Sequence, residues 1–193
     1  MPVPEPNPVP VPEPNPVPIP EPNPVPVPEP NPVPIPEPPP EPDPKQSGGA
    51  AEATAEEQAI AQAVVAQLNA DRASQGLPPL RLSSELSESA RAHNKAMTAD
   101  RRLSHQASGE ADLFGRIGAS GYQASGVAEN VAMHSLASKE SALQLQRAMF
   151  TETPPNDGHR RNMLNTSYQD VGVDVFIKDG TLWMTQHFAA PTS

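Results

Sequence analysis

The chain has 193 residues, a formal net charge of −10, 28 prolines and no cysteine. It lacks the basic excess a phosphate-backbone binder needs, and no apolar run approaches the roughly 18 residues of a membrane span. Without cysteine there is no disulfide framework, thiolate zinc site or cysteine nucleophile.

Twenty-three of the prolines fall between Pro2 and Pro44, where residues 2–33 are four copies of Pro-Val/Ile-Pro-Glu-Pro-Asn-Pro-Val and a degenerate fifth follows. Proline fixes φ, removes a donor and pushes its predecessor out of the α region. The expectation for residues 1–44 is an extended polyproline II spacer, reaching on the order of 130 Å at about 3.1 Å per residue. A docking role for aromatic-grooved domains is the weaker reading, since no Arg or Lys flanks the repeats. Residues 45–50 read as a flexible joint. The opening Met-Pro has no charged or apolar leader, so no signal peptide is expected within this sequence. The acidic spacer nevertheless favours an exported or envelope-attached protein.

Residues 51–193 make one domain of ordinary size. Ala51 to Ala73 reads as a helix, with Ile60, Val64, Val65 and Leu68 in a stripe. Gly76, Pro78 and Pro79 end it. A second helix is expected over 84–100, with Leu86, Ala90, His93 and Met97 facing the core. Residues 102–127 read as loop with one short helix near Asp112 to Ala119. A third helix spans Ser138 to Phe150, with Ala142, Leu145, Ala148 and Met149 on one face. The Pro154–Gly158 loop leads into a helical turn over Arg160 to Leu164. Asp170 to Ile177 and Thr181 to Phe188 alternate as strands about an Asp179-Gly180 hairpin turn. A further strand lies near Val127 to Met133. Trp183 and Phe188 are expected against a helical layer, and Met97, Met133, Met149 and Met163 as core fillers. The class is α+β.

The polar strings carry the chemistry. Arg102-Leu103-Ser104-His105 follows the second helix. Glu129 stands in an apolar run, where a carboxylate is costly unless it is paired. Asn156 to Leu164 packs polar side chains, His159 among them, into a loop. No His-Glu-x-x-His or Gly-x-Ser-x-Gly signature occurs. A Ser–His pair from Ser104 or Ser135 has no visible orienting group. His93 reads as a buried, satisfied histidine. His134 and His187 carry no assigned role, though His187 is placed to line a cleft.

These strings, in order, resemble the CAP superfamily (cysteine-rich secretory proteins, antigen 5 and pathogenesis-related 1 proteins), bacterial type. They are Leu68-Asn69-x-x-Arg72, Leu86-x-x-x-Ala90-x-x-His93-x-x-x-Met97 with Ser104-His105, and Arg116-x-x-x-x-Gly121-Tyr122. Glu129-Asn130-Val131-Ala132, Gly158-His159-Arg160-x-Asn162-Met163-Leu164, Val171-Gly172-Val173 and Trp183-x-Thr185-Gln186-x-Phe188 complete them. The resemblance implies an α-β-α sandwich with a small antiparallel sheet flanked by helices. It also implies a central cleft holding two histidines and one or two glutamates. By string these are His105, His159 and Glu129, with Glu152 as the nearest second glutamate and Glu140 as the weaker one. Ala128, Asp174, Met149 and the Pro-Pro-Asn-Asp insert depart from the family pattern.

His105, His159 and Glu129 suit a divalent ion such as Zn²⁺. The alternative is that His105 and Glu129 only pin loops to the sheet. Three function classes follow. The first is a binding module for a lipid, sterol, peptide or cell-wall polymer. The second is a hydrolase with Glu129 or metal-bound water as base and His105, His159 and Glu152 beside it. The third is a structural envelope protein. The enzyme reading is the less favoured, no organic cofactor or nucleic acid partner is expected, and the chain is expected to be a monomer.

Overall fold

The computed structural model describes residues 52–192, and the expected proline spacer and joint lie outside them. The first helix, α1 (Ala55–Ser74), starts later than its composition suggests because Thr54 caps it. The Thr54 hydroxyl accepts from the Glu57 amide, and the Glu57 carboxylate accepts from the Thr54 amide. A two-residue strand, β1 (Arg81–Leu82), follows. It is too short for any periodicity to reveal. The second helix, α2 (Ser84–Asp100), is capped by Ser83 and stops at Arg101, which takes the left-handed conformation. The short α3 (Leu113–Ala119) is capped by Asp112.

Next come β2 (Ala124–His134), α4 (Lys139–Phe150), α5 (Gly158–Leu164), β3 (Asp170–Lys178) and β4 (Thr181–Pro191). Asp179 and Gly180 both have positive φ, as a tight primed hairpin turn requires. The sheet order is β1-β3-β4-β2. Its three long strands are antiparallel, and β1 adds a parallel pair at β3.

Helices cover both faces of this sheet. On one face Ile60, Val64 and Leu68 of α1, with Ala142 and Met149 of α4, meet Val171, Val173, Val175, Met184 and Phe188. On the other, Met97 packs with Val131 and Trp183, and Leu86 and Ile117 pack with Ala189. Trp183 and Phe188 therefore each meet a helical layer, but opposite ones, because five residues along a strand reverses the face. Helix α2 approaches β3 at Gly172 so closely that a Cβ there would lie 2.2 Å from the Leu86 carbonyl carbon.

Two core expectations fail. Ala148 is exposed, and Gln146 takes the buried position on α4. Met133 is 42% exposed at the end of β2 rather than a core filler. Both depart from the pattern because β2 is the edge strand, and α4 leaves an opening beside it.

Candidate functional site

The site forms where the two helical layers meet beyond the edge strand. Side chains of one strand alternate between faces, so β2 sends Glu129 toward α2 and α3, and Asn130 toward α4 and α5. Glu129 is 7% exposed. One carboxylate oxygen accepts from His105 Nδ1 at 2.8 Å. The other accepts from Arg116 of α3 at 2.5 Å and from Nε2 of its cross-strand partner His187 at 2.9 Å. His93 Nε2 lies 3.5 Å away. Burial alone would push the carboxyl up. The bonds from His105 and His187 and the neighbouring imidazoles outweigh it and hold Glu129 near 2.

The partners of Glu129 are themselves fixed. Arg116 also donates to the carbonyls of His105 and Ala111, which ties the loop after α2 to α3. His93 is fully buried between Glu110 Oε2 (2.7 Å) and the Ser104 carbonyl (2.9 Å), as a satisfied core histidine. His187 is also fully buried, does not line the cleft, and is depressed by burial. His105 is different: its side chain is 65% exposed, and its bond to Glu129 raises its pKa.

The second half comes from the other layer. Glu152 lies in the loop after α4. Its carboxylate bonds His159 Nδ1 at 2.5 Å and accepts from the His159 amide at 3.0 Å. Asp157 precedes α5 without a side-chain capping bond, so Glu152 does the capping across the loop. The fully buried Asn130 donates to the His159 carbonyl and to Gln186, and accepts from Asn162. Asn162 also donates to the Glu129 carbonyl. Gln186 continues through Gln146 to Asp71 on α1. This amide chain fixes α5 against the sheet.

The four residues His105, Glu129, Glu152 and His159 line one open cleft of about 550 Å³, with Arg161 and Asn162 at its wall. Glu140 is exposed at the far end of α4 and takes no part. Each cleft histidine spends Nδ1 on a carboxylate, an acceptor-only group, so each ring is Nδ1-protonated there. Among the described residues, Nε2 of His105 and Nε2 of His159 meet no hydrogen-bond partner. Ser104 and Ser135 do not line the cleft, and the Ser104 hydroxyl donates to the Gln106 carbonyl.

The expected three-ligand set His105, His159 and Glu129 is not formed as such. No group of three or more His, Cys, Asp or Glu among the described residues is arranged to hold an ion. Glu129 has both oxygens committed to protein donors. What the cleft does present is two imidazole rings, each held through Nδ1 by a carboxylate behind it, with an Nε2 lone pair left over.

Sequence reasoning reached the four cleft residues through the family strings. It did not assign roles to Glu110, Gln146 or Gln186. The available signal was a polar residue at a core-facing position, as Gln146 is on α4.

Residues 65–188 match the CAP family, described as the cysteine-rich secretory protein family. YkwD of Bacillus subtilis (strain 168) is 30% identical over 125 residues, which are 65% of this chain and 45% of that protein. An extracellular protein of Bacillus anthracis containing an SCP domain superposes with a TM-score of 0.58 at 23% identity. The match covers 72% of this chain and 45% of that one. An outer surface protein of Borrelia burgdorferi superposes with a TM-score of 0.60 at 15% identity, over 70% of this chain and 95% of that one. The chain thus spans under half the length of both Bacillus proteins. The ordered strings, the helix-covered sheet and these matches agree: the chain belongs to the CAP family, among its bacterial members.

Proposed function

We propose that this CAP domain is an exported binding module for an apolar or cell-surface ligand, gripped at the cleft by His105 and His159. The observation that carries this is a pair of histidine rings lining one open cleft, each fixed through Nδ1 by a buried or half-buried glutamate and, among the described residues, with no hydrogen-bond partner at Nε2. A polar grip of this kind continues into an apolar groove of about 300 Å³ beside β2, which suits a ligand with a polar end and an apolar body. Export is supported by the extracellular and outer-surface descriptions of the Bacillus anthracis and Borrelia proteins.

A divalent ion such as Zn²⁺ would draw on Nε2 of His105 and of His159, with Glu129 and Glu152 orienting the rings rather than ligating. Such an ion would supply Lewis-acid attraction for an oxygen of the ligand. The hydrolase reading is weaker on two counts. A carboxyl held near 2 is a poor general base at neutral pH. The cleft lining also offers no hydroxyl or thiol nucleophile among the described residues.

Calorimetric titration of ZnCl₂ into the full chain tests this. Binding by the wild type that is lost in both His105→Ala and His159→Ala is expected. Equal binding in all three proteins, or none in the wild type, contradicts the metal-assisted grip.

A further inference from the structure

The outer edge of β2 is closed along one half and open along the other. In an antiparallel strand, N–H and C=O of one residue point to the same side, and successive residues alternate. The Glu129 carbonyl accepts from Asn162 and the Val127 carbonyl from Tyr168, so these odd-numbered residues point away from β4. The other strands agree: the Val171 carbonyl faces β1, so its neighbour Gly172 bonds His187, which leaves Glu129 turned outward. Val131 and Met133 share this parity. Among the described residues, no side chain or loop meets their outward backbone groups.

That open half borders the apolar groove. Leu103 and Met133 form one wall, from the α2 side, and Leu145, Ala148 and Met149 form the other, from α4. Leu103 and Met133 are 40% and 42% exposed. The walls carry no charge until Glu152 and His159, which are bonded to each other at the cleft end. An unpaired edge with uncharged walls on both sides matches a strand that brings its own donors and acceptors and alternates apolar side chains. A lipid chain would fill the walls but leave the edge unpaired.

We propose that the Val131–Met133 edge takes an extended, uncharged peptide segment as an added strand, its side chains alternating between the Leu103 and Leu145–Met149 walls. This rests on the binding reading above and names the partner class.

The probe is a fluorescent, N-acetylated, C-amidated Val-Thr-Val-Thr-Val peptide, titrated into the full chain and followed by polarisation and amide hydrogen exchange. Saturable binding is expected, with the Val131 and Met133 amides exchanging at least about tenfold more slowly. The same peptide N-methylated at every residue should bind at least about tenfold more weakly. Met133→Pro removes an outward N–H that no ladder bond uses, so the fold should tolerate it while peptide binding is lost. Ala148→Glu, on the exposed face of α4, should weaken binding through the wall. Zinc titration of Met133→Pro separates the two readings, since an intact cleft leaves it at the wild-type value. Peptide binding that survives His105→Ala and His159→Ala but not Met133→Pro supports the edge even where the cleft reading fails. The proposal is overturned if the peptide does not bind at millimolar concentration, or if the methylated peptide or Met133→Pro behaves as the parent. It is also overturned if the wild type is a concentration-dependent dimer that Met133→Pro dissociates, since a second copy would then close the edge.

Discussion

The two cleft histidines are held alike and anchored differently. His105 is oriented by Glu129, a carboxylate buried on a strand and ringed by Arg116, His187 and His93. His159 is oriented by Glu152, a loop carboxylate with 23% of its side chain exposed, whose other bonds go to the start of α5. One anchor belongs to the core and the other to a helix terminus. Removing the first should damage the fold, whereas removing the second should mainly free a ring. The contrast separates a polar residue that specifies structure from one that only aims a side chain.

The largest effect is expected on the strand side alone. Gly172→Ala would drive a methyl into the backbone of α2, the helix that leads to His105. We expect a loss of about 3 kcal/mol or more in denaturant unfolding. A loss under about 1 kcal/mol would mean that α2 is not seated firmly enough to set the geometry of His105. Glu129→Ala strips the partner from buried Arg116 and His187, and should cost about 3–5 kcal/mol.

Acid makes the same comparison without mutation. The folded pKa of Glu129 lies near 2, below its ordinary 4.5. Its contribution is therefore complete above 4.5 and vanishes as pH falls through about 2. Its size is on the order of 3 kcal/mol. Unfolding free energies of the wild type and Glu129→Gln should converge across that window. Parallel pH curves would break the assignment of the low pKa to this carboxyl. Glu152→Ala should cost only about 1 kcal/mol, as loss of a helix cap does. A cost equal to that of Glu129→Ala would erase the distinction between the anchors. The smallest effect is on His105 itself. Its folded pKa is raised by Glu129, so this contribution is present below about 6.5 and lost as pH rises through the folded value. NMR titration should place His105 above 6.5, and Glu129→Gln should lower it. An unchanged midpoint in the variant would disconnect the pair.

Much of this fold was legible because its signals are local. The α1 stripe, the span of α2 and the Asp179-Gly180 turn each follow from neighbouring residues. Strand β1 was not legible, because two residues paired in parallel to β3 leave no pattern. The cleft residues were found through ordered family strings, since nothing in spacing brings residue 105 to 129 or 152 to 159. Gln146 and Met133 misled in opposite directions. A buried Gln at a helix's core position is readable only once Gln186 and Asp71 are known to meet it. An exposed Met at a strand end looks like core until the strand is known to be the edge.

Glu129 and Glu152 each hold a cleft histidine through Nδ1, which leaves the Nε2 lone pair of His105 and of His159 for a ligand. Long-range ¹H–¹⁵N histidine spectra of the full chain, recorded above the titration range with and without ZnCl₂, test it most directly. Nδ1-protonated rings are expected for His105 and His159, with zinc shifting their Nε2 signals and leaving His93 and His187 unmoved. Nε2-protonated cleft rings, or zinc shifts confined to other histidines, would contradict it.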